Sequence, residues 1–242
     1  MGNSLAETGL NTEVFGDSAY CFAIAGRDLF CDMKLLERHL SSMPNVRIVI
    51  LTLHYNLHTD ILLDDELMKE KKYWIYNNYW YLNIPINTSI EGWLYRSSII
   101  SEQLHYSKLN KTSTDTLDKY GHSRNDRVWT GEKENYNPPN QMNVNKALLY
   151  LTEISHVCKD NNVRLIVITP PFPDEWLDEC TTDGIENLTI ITDSVKVIYP
   201  IEYKNYMFDS CFRNDSLYCN WNHLNHYGAT LFAERIKKDF GL

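Results

Sequence analysis

The sequence predicts an α/β fold built on a parallel sheet, and three observations carry that prediction. Two short runs are almost wholly apolar and rich in β-branched residues: Val-Arg-Ile-Val-Ile-Leu-Thr-Leu at 46–53 and Val-Arg-Leu-Ile-Val-Ile at 163–168. Runs of this length and composition read as strands covered on both faces. Each follows an amphipathic helical pattern, at 28–40 and at 143–158. Helices alternating with buried strands are the signature of crossover units, and crossovers make parallel sheets.

In the first helix Leu29, Met33, Leu36 and Leu40 recur at steps of three and four, Asp28 stands at the N-cap, and Pro44-Asn45 ends the segment. In the second, Ala147, Leu148, Leu151, Ile154 and Cys158 form one stripe, closed by Asp160-Asn161-Asn162. Thr169-Pro170-Pro171 stops the second strand. Residues 188–191 and 195–199 read as short strands. Residues 227–240 form the last helix, with Leu231, Phe232, Ile236 and Phe240 facing inward. The stretch 60–140 holds a charged run at 64–72, a Tyr/Trp/Asn-rich run at 73–81, a helical candidate at 90–106 and a polar region from 108 onward. It reads as an insertion or cap on the domain, closed by Pro138-Pro139. Ligands of open parallel sheets bind outside the carboxyl ends of the strands. Residues 52–58, residues 169–173 and the turn before the last helix should therefore gather at one edge.

The chain has 242 residues, enough for one large α/β domain. Hydrophobic residues at 43% supply a core and argue against wholesale disorder. A formal charge of -9 with a pI of about 5.3 argues against nucleic acid and anionic membranes as main partners. The cysteines at 21, 31, 158, 180, 211 and 219 form no C-x-x-C pair and no zinc-type spacing. Cys211 and Cys219 are close enough to invite a disulfide; the competing reading is free thiols in a reducing compartment. Neither a signal peptide nor a run long enough to span a bilayer is visible, so the default location is cytoplasmic. Met-Gly-Asn-Ser begins like a myristoylation signal, but Ala6 stands where Ser or Thr is required. His54 and His58 are four apart without a carboxylate-rich helix, which does not suggest a metal site. Neither a metal nor a cofactor is expected.

Chemistry, if present, centres on His223 in Asn220-Trp221-Asn222-His223-Leu224-Asn225. One reading of this turn is a helix entry rich in capping residues. The other is a general base, which needs a nucleophile. Two serines follow glycine-containing motifs: Ser4 in Gly2-Asn3-Ser4 and Ser18 in Gly16-Asp17-Ser18. A serine on a tight turn between strand and helix exposes its hydroxyl, and its own N–H can face a developing oxyanion. Either serine could equally be a turn or helix cap.

The N-terminal Gly-Asn-Ser or Gly-Asp-Ser together with the C-terminal N-W-N-H-L-N-H-Y-G-A resembles the SGNH (GDSL-like) hydrolase superfamily. The runs S-A-Y-C-F-A and R-D-L-F-C-D-M-K-L-L resemble a branch of it associated with bacterial surface polysaccharide. The match covers roughly the first 60 residues and the last 100. The resemblance implies a flavodoxin-like three-layer α/β/α domain over 1–242 with the insertion at about 60–140. It implies a serine esterase or O-acyltransferase acting on ester-linked acyl groups, with a small-molecule or carbohydrate ester as partner. Ser4 is the preferred nucleophile and Ser18 the alternative, because the branch places the nucleophile motif first and a short second strand at 18–23. His223 is then the base and Asn220 its orienting partner. Gly26 and, less directly, Asn56 supply the oxyanion site; Asn56 also reads as a polar loop residue. The chain departs from the pattern at three points. No strand precedes Gly2, which implies either a truncated sequence or a different nucleophile, and would cost Ser4 its rigid support. Asn220 stands where Asp is expected. Leu5 stands where the branch commonly has His. These departures favour a second reading, a catalytically impaired member that binds a glycan or a protein. A third is a flavodoxin-like module without hydrolase chemistry.

Overall fold

The computed structural model describes residues 1–24, 27–54, 116–131 and 143–242. The charged run, the aromatic run at 73–81 and the helical candidate at 90–106 lie outside the described residues. So does most of the 60–140 stretch.

Among the described residues the fold is mixed α/β around a parallel sheet of three strands. Strand β1 (Ile48–Thr52) pairs with β4 (Arg164–Thr169) in parallel, Ile48 opposite Arg164 and Thr52 opposite Ile168. The expected cover on both faces holds for β4 but not for β1, where Val49 and Leu51 are buried, Ile48 is exposed and Ile50 is half-buried. Leu165, Ile166, Val167 and Ile168 are all buried, with no alternation of inside and outside. The N-terminal residue extends this sheet beside β1. The Met1 nitrogen donates to Ile50 O at 2.6 Å and Thr52 N donates to Met1 O at 3.2 Å. These are the two bonds a parallel neighbour opposite Leu51 would make.

Helix α2 (Leu29–His39) begins where Asp28 caps it, accepting from Cys31 N at 2.8 Å. It packs against α3 (Val144–Asp160), which packs in turn against α5 (Thr182–Lys196); the single turn α4 (Asp174–Leu177) lies between those two in sequence. The expected strands at 188–191 and 195–199 do not form. Most of that stretch belongs to α5, and Val197–Tyr199 closes its end with turn bonds. The buried residues Leu188, Ile191, Thr192 and Val195 fall at i, i+3, i+4 and i+7, which is helical spacing. Thr181 caps the helix by accepting from Gly184 N. The β-branched content alone pointed to a strand; the spacing and the cap decide for a helix.

The third strand, β5 (Glu202–Asn205), follows that helix. Among the described residues it pairs with β4 alone, at the edge of the sheet, and its sequence Glu-Tyr-Lys-Asn is polar accordingly. Its charges are used: Glu202 meets Arg164 bidentately at 2.5 and 2.8 Å, and Lys204 meets Asp239 at 2.8 Å. The segment 18–23, expected as a strand, stays irregular, with Cys21 N bonded to Tyr120 O. That carbonyl belongs to a small antiparallel hairpin of β2 (Thr116–Leu117) and β3 (Ser123–Arg124). All six cysteines are free, Cys211 exposed and Cys219 buried, so the suggested disulfide is not formed. No helix among the described residues is long and apolar enough to cross a membrane.

The last helix, α6 (His226–Phe240), is capped by Asn225 and ends on Gly241 in the left-handed conformation. Gly228 in its first turn lies against a 3-10 turn, Asp215–Leu217. A Cβ there would sit 2.1 Å from Leu217 O. That atom is backbone and cannot rotate away. Gly228→Ala should therefore lower stability by about 1–3 kcal/mol through overpacking, read as a lower urea midpoint at unchanged slope.

Candidate active site

The N-terminal motif forms a tight turn into α1 (Ser4–Glu7), a single helical turn that begins at the serine. Gly2 adopts a φ of +130°, and a Cβ on it would lie 2.0 Å from Thr52 Oγ1 at the end of β1. Only glycine fits there, on both counts. Asn3 is the N-cap: its Oδ1 accepts from Leu5 N at 3.1 Å, and its carbonyl receives Ala6 N and Glu7 N. Thr8 closes the turn through its N and Oγ1 on Ser4 O, at 3.0 and 2.9 Å.

A single helical turn does not hold itself. Its fixity comes from neighbours. Ile24 N donates to Gly2 O, and the carboxylate of buried Asp32 on α2 accepts from Gly2 N–H. Arg27 holds Asp32 at 2.8 Å and donates to Phe22 O. On the far side His122 Nδ1 donates to Glu7 O at 3.1 Å. Ser4 is thus supported laterally, by β1, α2 and the hairpin. The hairpin also serves the other half of the site: Asn125 O receives His226 N at 2.7 Å, and Trp129 N donates to Tyr218 O. The sequence reading gave this segment no such role, because its polar composition carries no periodic signal.

His223 stands on a loop that folds back on itself. Tyr218 and Leu224 form an antiparallel bridge, and Cys219 N donates to His223 O at 2.8 Å. At the tip, Asn220 Oδ1 accepts from Asn222 N at 3.1 Å and from His223 N at 2.8 Å. Those two backbone donors fix the amide, since only its oxygen can accept. The same oxygen lies 3.1 Å from His223 Nδ1. Nδ1 therefore carries the ring proton, and Nε2 presents its lone pair. Nε2 lies 2.8 Å from Ser4 Oγ, across 219 positions of sequence. Asn225, fully buried, anchors the loop from below: its Nδ2 donates to Ser216 O and Tyr218 O while its Oδ1 caps α6.

The structure brings together Ser4, His223 and Asn220. It leaves Ser18 on an exposed turn without a bond to His223. Gly26 and Asn56, the expected oxyanion residues, lie outside the described residues. The Ser4 N–H bonds to none of the described residues, so it is free to face an oxyanion. His54, dismissed as a metal ligand on sequence, enters the site instead: its Nε2 lies 2.6 Å from Asn3 Nδ2. The signal available was its place two residues past the end of a buried strand, at the sheet edge where ligands bind. No group of His, Cys, Asp or Glu among the described residues could hold a metal ion.

Burial lowers the His223 pKa from about 6.5 to about 4, because desolvation disfavours the imidazolium and Asn220 brings no charge to oppose it. Between those values the unfolded chain binds a proton that the folded chain does not. Stability should therefore fall as pH drops from about 6.5 to about 4, by at most about 3 kcal/mol, and the term should level off below that. Urea midpoints should fall more steeply across this range in the wild type than in His223→Gln, which keeps the contribution of His122, whose pKa burial also lowers.

Set beside known protein families and curated proteins, the chain matches no family model and no curated sequence.

Proposed function

We propose that this chain is an SGNH-like serine hydrolase or O-acyltransferase acting on ester-linked acyl groups, with Ser4 as nucleophile. One observation carries the reading: the 2.8 Å approach of His223 Nε2 to Ser4 Oγ, with the tautomer set by Asn220. On this reading the domain is a flavodoxin-like three-layer α/β/α unit over 1–242, and 60–140 is its insertion. An acylated carbohydrate is the substrate class that the sequence resemblance suggests. Ser4 Oγ attacks the acyl carbon as its proton passes to His223 Nε2. The tetrahedral oxyanion takes the Ser4 N–H, with the Gly26 N–H as its expected second donor. Collapse expels the alcohol, which leaves with the proton from Nε2, and an acyl ester remains on Ser4. Water or an acceptor alcohol then attacks that ester, losing its proton to Nε2; collapse breaks the acyl–Oγ bond, releases the acid or the new ester, and returns the proton from Nε2 to Ser4 Oγ.

Asn220 keeps the imidazole in the working tautomer but does not stabilise imidazolium by charge. The turnover is accordingly slow. Asn220→Asp should raise the His223 pKa and the rate of acyl-ester hydrolysis by roughly 10- to 100-fold.

The same amide favours the second reading, a binding protein of this fold. A fluorophosphonate probe separates the two. The esterase reading expects labelling at Ser4 in the folded chain, abolished in Ser4→Ala, retained in Ser18→Ala and slowed about 10³-fold or more in His223→Ala. A folded chain whose Ser4 stays unlabelled, and which binds glycan or protein equally well as Ser4→Ala, is the binding protein instead.

A further inference from the structure

We infer that His54 is a positioning residue for the nucleophile turn: its Nε2 accepts a hydrogen bond from the Asn3 side chain and so holds the cap on which Ser4 stands. The inference rests on the proposed role of Ser4.

The Asn3 amide has one orientation available. Its Oδ1 accepts from Leu5 N at 3.1 Å, so the group facing His54 is the NH2 of Nδ2, which only donates. His54 Nε2, 2.6 Å away, must therefore be the unprotonated nitrogen, and the ring proton sits on Nδ1. An Nε2–H tautomer, or an imidazolium, would set donor against donor at that distance.

His54 is itself held. It is 4% exposed and follows Leu53, whose N donates to Ile168 O at 2.8 Å. Thr169 Oγ1 donates to Leu53 O at 2.6 Å and meets Tyr203 OH at 2.9 Å. A continuous path thus runs from β4 through Leu53 and His54 to Asn3. It ends on the residue that caps α1.

That cap matters more here than in an ordinary helix. With four residues, α1 has almost no internal cooperativity, so the direction of its first turn follows Asn3. If the Asn3 side chain rotates, Leu5 N loses its acceptor and Ser4 shifts against His223. Shifts of about an ångström at a nucleophile cost on the order of 10²-fold in rate. The two histidines use the same nitrogen differently. His223 Nε2 accepts from Ser4 Oγ, and His54 Nε2 accepts from the residue before it.

The test uses the full chain, a fluorophosphonate probe and long-range ¹H–¹⁵N NMR of the histidine rings. His54 should show the Nδ1–H tautomer; a His54 ring protonated on Nε2 overturns the inference. His54→Leu should cut the maximal rate of Ser4 labelling by about 10²-fold at little change in probe affinity. His54→Gln, whose amide oxygen can accept from Asn3, should stay within about fivefold of wild type. Asn3→Ser keeps a capping oxygen but lacks the side-chain amide that reaches His54. It should match His54→Leu, and the double variant should lose no more than either single one. A folded His54→Leu that labels at the wild-type rate, or single losses that multiply in the double variant, overturns the inference. Should His54→Leu fail to fold, the Asn3→Ser and His54→Gln comparison decides: equal rates overturn the inference. A wild type unlabelled at Ser4 removes the esterase reading, and the catalytic part of this inference with it. The ring tautomer then still decides whether the Asn3–His54 bond exists.

Discussion

The parallel pairing of β1 with β4 fixes what can meet what in this molecule. Thr52 lies opposite Ile168, so both strands end at the same level and on the same side of the sheet. From that level Thr169 reaches back to Leu53 O, and Met1 is drawn in beside Ile50 and Thr52. A slip of one residue would turn the side chains of the strand to opposite faces and remove Thr52 from beneath Gly2. The strands cannot slip easily: in β1 a slip would bring Ile48 and Ile50 to the buried face and turn Val49 and Leu51 out, and β4 is packed on both faces.

The candidate site is assembled from the two ends of the chain, on small elements that depend on their surroundings. The serine sits on one helical turn, and the histidine on the tip of a bridged loop. Each is locked by polar side chains: Asn3 caps, Asn220 takes three donors on one oxygen, Asn225 serves both the loop and α6. Asparagine suits this task because one end accepts while the other donates. The hairpin behind the site ties both halves together through His122 and Asn125. The hairpin is therefore structural support for the site.

Electrostatically the site differs from a serine–histidine pair backed by a carboxylate. The amide at 220 gives orientation without charge, and burial does the rest, so the imidazole stays neutral over the whole physiological range. A neutral, correctly oriented base is ready to accept a proton, but its protonated form is raised in energy. That combination suits slow acyl transfer, or recognition without turnover, better than rapid hydrolysis.

The sequence by itself determined the parallel α/β core, because the strands 46–53 and 163–168 and the helices at 28–40, 143–158 and 227–240 each repeat a strong local pattern. It also singled out Ser4, His223 and Asn220 as residues worth bringing together. It misread 188–199, where β-branched content and helical spacing compete and packing against α3 decides. It missed β5, whose polar residues become a strand only through pairing with β4 and ion pairs to Arg164 and Asp239. The choice between Ser4 and Ser18 was not a local matter at all. Both tripeptides offer a glycine turn and a hydroxyl; the resemblance preferred Ser4, and the folding of residue 223 back to residue 4 sets Ser4 Oγ beside His223 Nε2. His54 was hidden for the same reason: its partner lies 51 positions away, and no periodicity in a sequence encodes a hydrogen bond between a strand end and a distant helix cap.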